Sequence, residues 1–468
     1  MGFFYLSAAH KSSGKTTVGI GLAAALRDRQ GLVVQPFKKG PDYIDPLWLG
    51  AAAGRACYSL DFFVQGSDEI REDFSARMCN ADIGLVEGNK GLFDGVALDG
   101  SNSNAALAAL LDAPVMLVID TRGITRGIAP LLLGYQQFSP RVTIGGVILN
   151  RVGGARHESK LRQAVEHYTD IPVVGAVPEA PEVEIIERHL GLMPSNEHGQ
   201  ALEIVDRIAG VVGDAVDLDA LVQLAAGARL PDVPATGADR IEAHRAATPV
   251  RVGVPRDEAF GFYYPGDLEA LQGAGAELVF FDSLTDRLLP HVDGLFIGGG
   301  FPETHMERLE ANTSMREAVR TFVESGGAAY AECGGLMYLC RRLTWGDKVC
   351  RMAGVLPADV VMQDRPQGRG YVRLRETGFG PWSPNPVPGG EIPAHEFHYS
   401  RLDNIGEKLT FAYEMLRGYG VDGKHDGICY KNLLASYSHL RDVAGQHWTR
   451  RFVEHVAACK RRREAARA

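Results

Sequence analysis

No run of roughly 18 apolar residues occurs anywhere in this chain, which excludes a membrane-spanning helix. No CxxC pair occurs among its seven cysteines, so neither a disulfide framework nor a zinc site is expected, and a reducing cytoplasm fits. Positive charge is in deficit. A formal net charge of −9 over 468 residues argues against non-specific nucleic-acid binding as the main role. The basic run Lys460-Arg461-Arg462-Arg463 reads as a solvated helix end. The N-terminus has no charged n-region or cleavage site and enters an apolar run by Phe3, so no signal peptide is expected. What remains is an ordinary globular composition, 45% apolar and 23% charged, at a length that suits about two or three domains.

The most informative stretch is Leu6-Ser7-Ala8-Ala9-His10-Lys11-Ser12-Ser13-Gly14-Lys15-Thr16-Thr17. It joins an apolar strand, Phe3–Leu6, to a helical run, Val18–Leu26. A strand, a Gly/Ser loop ending in G-K-T and a helix form a phosphate cradle, with backbone N–H groups aimed at the anion. Lys15 reaches the outer phosphates and the Thr16 hydroxyl faces Mg²⁺. Ala9 stands where the first glycine of the usual motif falls. Lys11 resembles the extra lysine of the deviant Walker A class, which includes dethiobiotin synthetase and nitrogenase iron protein.

Further strands are expected at Leu32–Phe37, Ile83–Glu87, Val115–Ile119, Ile144–Asn150 and Val173–Val177, with helical stretches such as Asn104–Leu111 and Lys160–Tyr168 between them. This alternation predicts a parallel sheet covered by helices, with ligands at the carboxyl ends of the strands. After the second strand comes a stiff polar loop, Lys38-Lys39-Gly40-Pro41-Asp42-Tyr43-Ile44-Asp45-Pro46. There Asp42 and Asp45 suit either Mg²⁺ or a substrate group. After the third comes Glu87-Gly88-Asn89-Lys90-Gly91-Leu92-Phe93-Asp94-Gly95. Glu87 falls where a nucleotide hydrolase keeps its metal-linked carboxylate, and Asp94 reads as a positioned acid. Asn150 ends a strand; it suits an adenine edge or a plain turn equally. Glu187–Leu192 reads as a loop or helix start, and Asp217–Ala225 as a short helix. Residues 226–248 carry Pro231 and Pro234 without strand pattern, and are expected to link domains 1–225 and 249–468.

The second half opens with strands at Val250–Val254, Leu278–Phe281 and Gly294–Ile297. The last runs into Gly298-Gly299-Gly300-Phe301-Pro302-Glu303, glycines of the kind an oxyanion hole needs. Then Ala328-Ala329-Tyr330-Ala331-Glu332-Cys333-Gly334-Gly335-Leu336-Met337-Tyr338 has the form of a nucleophile elbow with Cys333 at its apex. Cys57, Cys79, Cys340, Cys350, Cys429 and Cys459 lack such a setting and read as structural. A thiol nucleophile needs a histidine. Of His395, His398, His425, His439 and His447, the modest preference is His439, which ends the apolar run Leu433–Ser438. Ala394–Ser400 suits substrate contact or core hydrogen bonding.

Taken in order, Lys38–Pro46, Val86–Gly95, Glu187–Leu192, Arg256–Phe260, Gly298–Glu303, Ala331–Leu336, His395–Ser400 and Ala435–Leu440 resemble one family through nearly the whole chain. It is the glutamine-dependent a,c-diamide synthases of cobyrinic and hydrogenobyrinic acid. The resemblance implies an α/β chain with two halves: an N-terminal deviant P-loop NTPase of the dethiobiotin-synthetase type and a C-terminal class I glutamine amidotransferase with a flavodoxin-like sheet. It implies that Cys333 attacks the glutamine amide and that His439 raises its nucleophilicity. Many class I amidotransferases carry a glutamate two residues after that histidine; here Arg441 stands there, and no third member is assigned. ATP falls to Lys11, Gly14, Lys15, Thr16, Thr17 and Asn150, Mg²⁺ to Thr16, Asp42 and Glu87, and the substrate carboxylate to Tyr43, Asp45 and Asp94. Partners are L-glutamine and a polycarboxylate tetrapyrrole, in the cytoplasm, without nucleic acid or membrane. The oligomeric state stays open, a homodimer among the options.

A carboxylate resists ammonia because its leaving group would be oxide; phosphorylation by ATP supplies a better one. Ammonia made inside the protein arrives unprotonated, so a closed route from Cys333 to the ATP site is expected. Two features separate this chain from many corrinoid enzymes. Asn89-Lys90 and Ser101–Asn104 resemble the sirohaem-amidating relatives found with dissimilatory sulfite reductase, so cobyrinic or hydrogenobyrinic acid and sirohaem stay open as substrates. Two other readings compete: a non-catalytic ATP-switch protein, which would lack glutaminase activity, and a stand-alone cysteine amidase, which would form no amide at the expense of nucleotide.

Overall fold

The computed structural model describes residues 2–180, 185, 187–188, 191–197, 200–232, 249–383, 390–406 and 409–466. It divides into two compact units, Met1–Ala238 and Asp239–Ala468.

Seven strands form the sheet of the first unit: β1 (Gly2–Ala8), β2 (Val34–Lys39), β3 (Tyr58–Leu60), β4 (Ile83–Glu87), β5 (Val115–Asp120), β6 (Ile144–Val152) and β7 (Val173–Pro178). Their order is β3-β2-β4-β1-β5-β6-β7, and every pair is parallel. Every residue of β1 is buried, as expected of a strand covered on both faces. Strand β1 sits where the order changes direction, with β4 on one side and β5 on the other. Ligand crevices open at such a point, outside the carboxyl ends of the strands, and the loop 9–14 begins there.

That loop leads into helix α1 (Lys15–Gln30), buried along Val18–Leu26. Helix α1 packs closely on helix Ala201–Ala215. A Cβ at Gly21 would collide with the Val212 side chain, so the glycine sets their separation. Helix α2 (Ile44–Ala53) corrects one expectation. The polar loop after β2 is shorter than its composition suggests, and Asp45 lies in the first turn of α2, where a carboxylate favours the helix dipole. Short strand β3 at the sheet edge was not expected. Glu187–Arg188 pairs antiparallel with Gly191–Leu192, so this segment is not a helix start; His189 and Leu190 lie outside the described residues. Helix Leu218–Ala226 covers the expected short helix, and residues 233–248 of the expected linker lie outside the described residues.

The second unit has a nine-stranded mixed sheet. Five parallel strands come first, in the order Ala276–Phe281, Val250–Pro255, Gly294–Ile297, Ala328–Glu332 and Leu433–Ser436. Four antiparallel strands extend it, in the order His425–Tyr430, Thr410–Arg417, Gly368–Glu376 and Glu391–His398. The extension departs from a purely flavodoxin-like sheet. Its last strand bends back to the first half: His439 N–H donates to the His395 carbonyl at 2.8 Å, and the two residues form an antiparallel bridge. A separate four-stranded sheet joins Lys348–Arg351, Arg342–Trp345, Asp359–Met362 and Ser400–Asp403. No described helix is long and apolar enough to cross a membrane.

Candidate active sites

In the first unit, Gly14 takes φ 80° as the cap of α1, a left-handed conformation that suits glycine. Lys15, Thr16 and Thr17 occupy the first turn of α1 and are half-buried, and Lys11 is exposed. Oxygen donors converge beneath them. The Thr16 hydroxyl donates to Glu87 Oε1 at 2.9 Å and lies 3.3 Å from Asp45 Oδ2. Lys15 Nζ lies 3.0 Å from Glu87 Oε1. Glu87 is fully buried and its Oε2 has no hydrogen-bond partner. Hydroxyl and carboxylate oxygens with an unspent carboxylate oxygen suit a hard divalent cation. Mg²⁺ takes one or two carboxylates plus phosphates rather than an all-protein cage, and among the described residues no three acidic, histidine or cysteine side chains form one. The donor set therefore fits Mg²⁺ with nucleotide.

Lys38 was not singled out from sequence. Only 1% exposed, its ammonium lies 2.5 Å from Asp45 Oδ2, 2.9 Å from Glu87 Oε1 and 3.8 Å from Asp42 Oδ2. Burial opposes this charge, but Asp45, Glu87 and Asp42 outweigh it and hold the ammonium well above its usual range. Burial and the adjacent Asp45 push the Asp42 carboxyl up to about 7, while Lys38 and Lys15 hold Asp45 below the usual range against its own burial. The sequence signal for it is the pair Lys38-Lys39 closing the run that forms β2, which is buried throughout.

Other expected residues divide. Asp42 Oδ1 accepts the backbone N–H groups of Ile44 and Asp45, shaping the entry to α2. Tyr43 is buried just before α2. Asp94 is exposed, and its Oδ2 accepts from Gly91 N–H at 2.9 Å. Asn150 donates its amide to the Ser13 carbonyl at 2.8 Å, and thereby braces the phosphate loop from behind. Asn104 is fully buried and rivets the loop after β4: its Oδ1 accepts from Tyr5 Oη at 2.9 Å and from Asn89 N–H at 3.0 Å, and its amide donates to the Asn89 and Gly91 carbonyls.

In the second unit, Cys333 follows strand Ala328–Glu332 directly and caps the short helix Gly334–Leu339. Its backbone sits at φ 46°, ψ −102°, a strained conformation of the kind stored at functional sites. The turn is fixed by a 2.7 Å hydrogen bond from Cys333 N–H to the Ser436 carbonyl. Small neighbours are obligatory, since a Cβ at Gly335 would collide with the Ile297 carbonyl and one at Gly334 would crowd Gly300.

His439 lies against this elbow and is 3% exposed. Burial opposes its positive form, but hydrogen bonds to Cys333 and Glu332 raise its pKa to about 10. A Cβ at Gly299 would stand 2.8 Å from His439 Cε1, so the glycine run lets the ring rest against backbone. The His395 ring stacks on His439 at 4.8 Å, and burial, His439 and Arg441 hold its pKa well below the usual range. The other late histidines lie elsewhere. His398 stacks on Tyr437 at 3.8 Å, His425 pairs with Asp422 at 3.0 Å, and His447 is exposed beside Asp442. All seven cysteines are free thiols.

Residues 8–192 match the CobQ/CobB/MinD/ParA nucleotide binding domain, and residues 251–443 match the CobB/CobQ-like glutamine amidotransferase domain. The two domains on one chain define a glutamine-dependent amidotransferase ligase. The chain is 49% identical over 447 residues to a cobyrinate a,c-diamide synthase of Magnetococcus marinus, covering 95% of each chain. It is 39% identical to that of Methanosarcina acetivorans, over 94% of this chain and 92% of the relative. With that of Archaeoglobus fulgidus it shares 41% identity over 94% of each. The chain belongs to the cobyrinate a,c-diamide synthase family.

Proposed function

We propose that this chain amidates the a- and c-acetate carboxylates of cobyrinic or hydrogenobyrinic acid, using ATP and glutamine. The observation that carries the reading is the buried Cys333–His439 pair on a chain that also holds the Lys15–Lys38–Glu87–Asp45 cluster under its phosphate loop. At the first centre, His439 holds the Cys333 proton while Sγ attacks the glutamine amide carbon. The C–N bond breaks, the departing nitrogen takes that proton, and water cleaves the thioester to glutamate. The Gly299, Gly300 and Gly334 N–H groups are the proposed donors for the oxyanion, the Gly298 N–H being taken by Tyr263 Oη at 3.1 Å.

At the second centre, a substrate carboxylate oxygen takes the terminal phosphoryl group of ATP, and ADP leaves. Ammonia then attacks the acyl carbon and phosphate departs. Lys15 and Lys38 offset charge on the transferring group. Thr16, Glu87 and the neighbouring Asp45 and Asp42 carboxylates would hold Mg²⁺, which when bound neutralises phosphate charge. Lys11 and Asn150 complete the nucleotide site, Asn150 through the loop it braces. Tyr43, Asp45 and Asp94 are assigned to the substrate carboxylate by the family resemblance.

Amidation of sirohaem is the second reading, favoured by Asn89-Lys90 and Ser101–Asn104. Part of that signal has a structural explanation. Asn104 secures the loop of Asn89, and Asn102 Oδ1 accepts from Val96 and Ala97 N–H. The exposed Lys90 remains as a difference without such an explanation. The test is purified protein with glutamine, ATP and Mg²⁺, offered cobyrinic acid, hydrogenobyrinic acid and sirohaem separately, with products read by mass. Two amides on either cobyrinic acid support the proposal. Amidation of sirohaem alone replaces it with the second reading, and nucleotide-independent glutamine hydrolysis without any amide product overturns both.

A further inference from the structure

A histidine that exchanges a proton with a thiol must present one ring nitrogen to sulfur, so its other nitrogen needs a fixed acceptor. Two residues beyond His439 the chain offers Arg441, whose guanidinium has no acceptor atom. It lies over the Tyr264 ring at 4.2 Å and 3.9 Å from Asp267 Oδ1. The acceptor comes from the opposite direction in the chain. Glu332 Oε2 lies 3.2 Å from His439 Nδ1, and both side chains are at most 4% exposed. The second oxygen, Oε1, accepts from Leu440 N–H at 3.0 Å and from Tyr330 Oη at 2.5 Å. One carboxylate thus grips the His439 ring and the peptide behind it. Glu332 is also the residue immediately before Cys333, and strand Ala328–Glu332 pairs parallel with Leu433–Ser436, Glu332 opposite Ser436. The nucleophile and this acid therefore move as one rigid piece.

We propose that Glu332 is the positioning acid of the amidotransferase centre, fixing His439 with Nδ1–H toward the carboxylate and Nε2 toward Cys333. The triad runs Glu332-Cys333 on one strand end and His439 on the next, and it replaces an acid that the position of Arg441 does not supply. The inference rests on Cys333 and His439 being the glutaminase pair. A purely structural glutamate, tying two strand ends together through Leu440, is the competing role.

Glu332→Gln separates them. Its amide oxygen can still accept from Leu440, but its NH₂ faces Nδ1 and favours the tautomer with the proton on Nε2. In serine proteases the corresponding Asp→Asn change costs about 10⁴-fold in kcat. Here glutamine-dependent kcat should fall about 10²- to 10⁴-fold with KM for glutamine little changed, while ammonia-dependent amidation stays within about twofold of wild type. The pH profile of Cys333 alkylation adds a readout that a structural role would not move. The groups facing His439 are Cys333, Glu332 and the stacked His395, with Arg441 and Asp267 beyond His395 and Tyr330 and Tyr263 beside Glu332. Only Glu332 is changed, and removing its negative charge lowers the His439 pKa from about 10, so the alkaline limb should move to lower pH. A folded Glu332→Gln enzyme with glutaminase within about threefold of wild type, or with an unmoved alkaline limb, overturns the proposal. If that variant does not fold, Glu332→Asp keeps the charge but withdraws it by one methylene; a partial loss confined to glutamine-dependent activity supports the role, and undiminished activity overturns it. Should Cys333→Ala retain glutaminase activity, the underlying pair itself fails, which is a different result.

Discussion

The two units use the same device in opposite ways. Each places a strand–turn–helix at the carboxyl end of a parallel sheet, and each turn carries a residue with positive φ. In the first unit the residue that caps the helix is Gly14, for which the conformation is unstrained, with Ser12 also left-handed at φ 65° earlier in the turn, and a 16-residue helix follows. In the second it is Cys333, for which it is strained, and the helix has six residues. The difference follows from what is presented. A phosphate cradle needs backbone N–H groups and no side chain, so glycine serves. A nucleophile needs its side chain thrust out of the sheet, which the strained backbone of Cys333 would provide, and the neighbours Gly334 and Gly335 make room. The charge patterns differ too. The first site balances two lysines against three carboxylates, Asp42, Asp45 and Glu87, ready to reorganise around phosphate and cation. The second holds one carboxylate, one histidine and one thiol in fixed geometry.

Substitutions that divide the two sites should break this comparison cleanly. The largest effect is expected from Cys333→Ala: glutamine-dependent amidation falls about 10⁴-fold or more, while added ammonia restores it. Next, Lys15→Ala should cost about 10²- to 10³-fold in amidation with either nitrogen source, yet leave thioester formation at Cys333 measurable with a glutamine-analogue label. Lys38→Met, which takes the close cation from Asp45 and leaves the buried Glu87 with Lys15 alone, should depress amidation with both nitrogen sources and lower the thermal midpoint. The smallest catalytic effect is expected of Asn104→Ala, which strands the backbone of Asn89 and Gly91. Stability should fall by about 2–4 kcal/mol in denaturant titration, with glutaminase activity preserved.

The parallel frame of the first unit was readable because its strands are continuous apolar runs; Ile83–Glu87 and Asn104–Leu111 coincide with observed elements. Strand β3 was not, being three residues long at an edge. Helix α2 was hidden by Pro46 and two aspartates, although Trp48, Leu49, Ala52 and Ala53 form its buried face. The antiparallel extension is masked in the sequence because its strands mix apolar residues with charged and polar ones rather than forming continuous apolar runs. Gly368–Glu376 buries Val372 and Leu374 between exposed arginines, which reads as surface. Among candidate site residues, Cys333 is marked in the sequence by its small neighbours, and His439 by the apolar run before it. Glu332 was not, because its partner lies 107 residues away and only the strand pairing brings them together. Lys38 is masked in the sequence because Asp42 and Asp45 already account for the polarity of the loop it enters.

Label transfer tests the division of labour most directly. Protein, ATP, Mg²⁺ and cobyrinic acid are incubated with glutamine labelled with nitrogen-15 in its amide, in the presence of unlabelled ammonium, and the product amides are read by mass. The wild-type product should carry nitrogen-15, and the Cys333→Ala product only unlabelled nitrogen at comparable ATP cost. Label in the Cys333→Ala product, or its failure to use ammonium while still binding ATP, would contradict a chain in which one unit releases ammonia and the other activates the carboxylate that receives it.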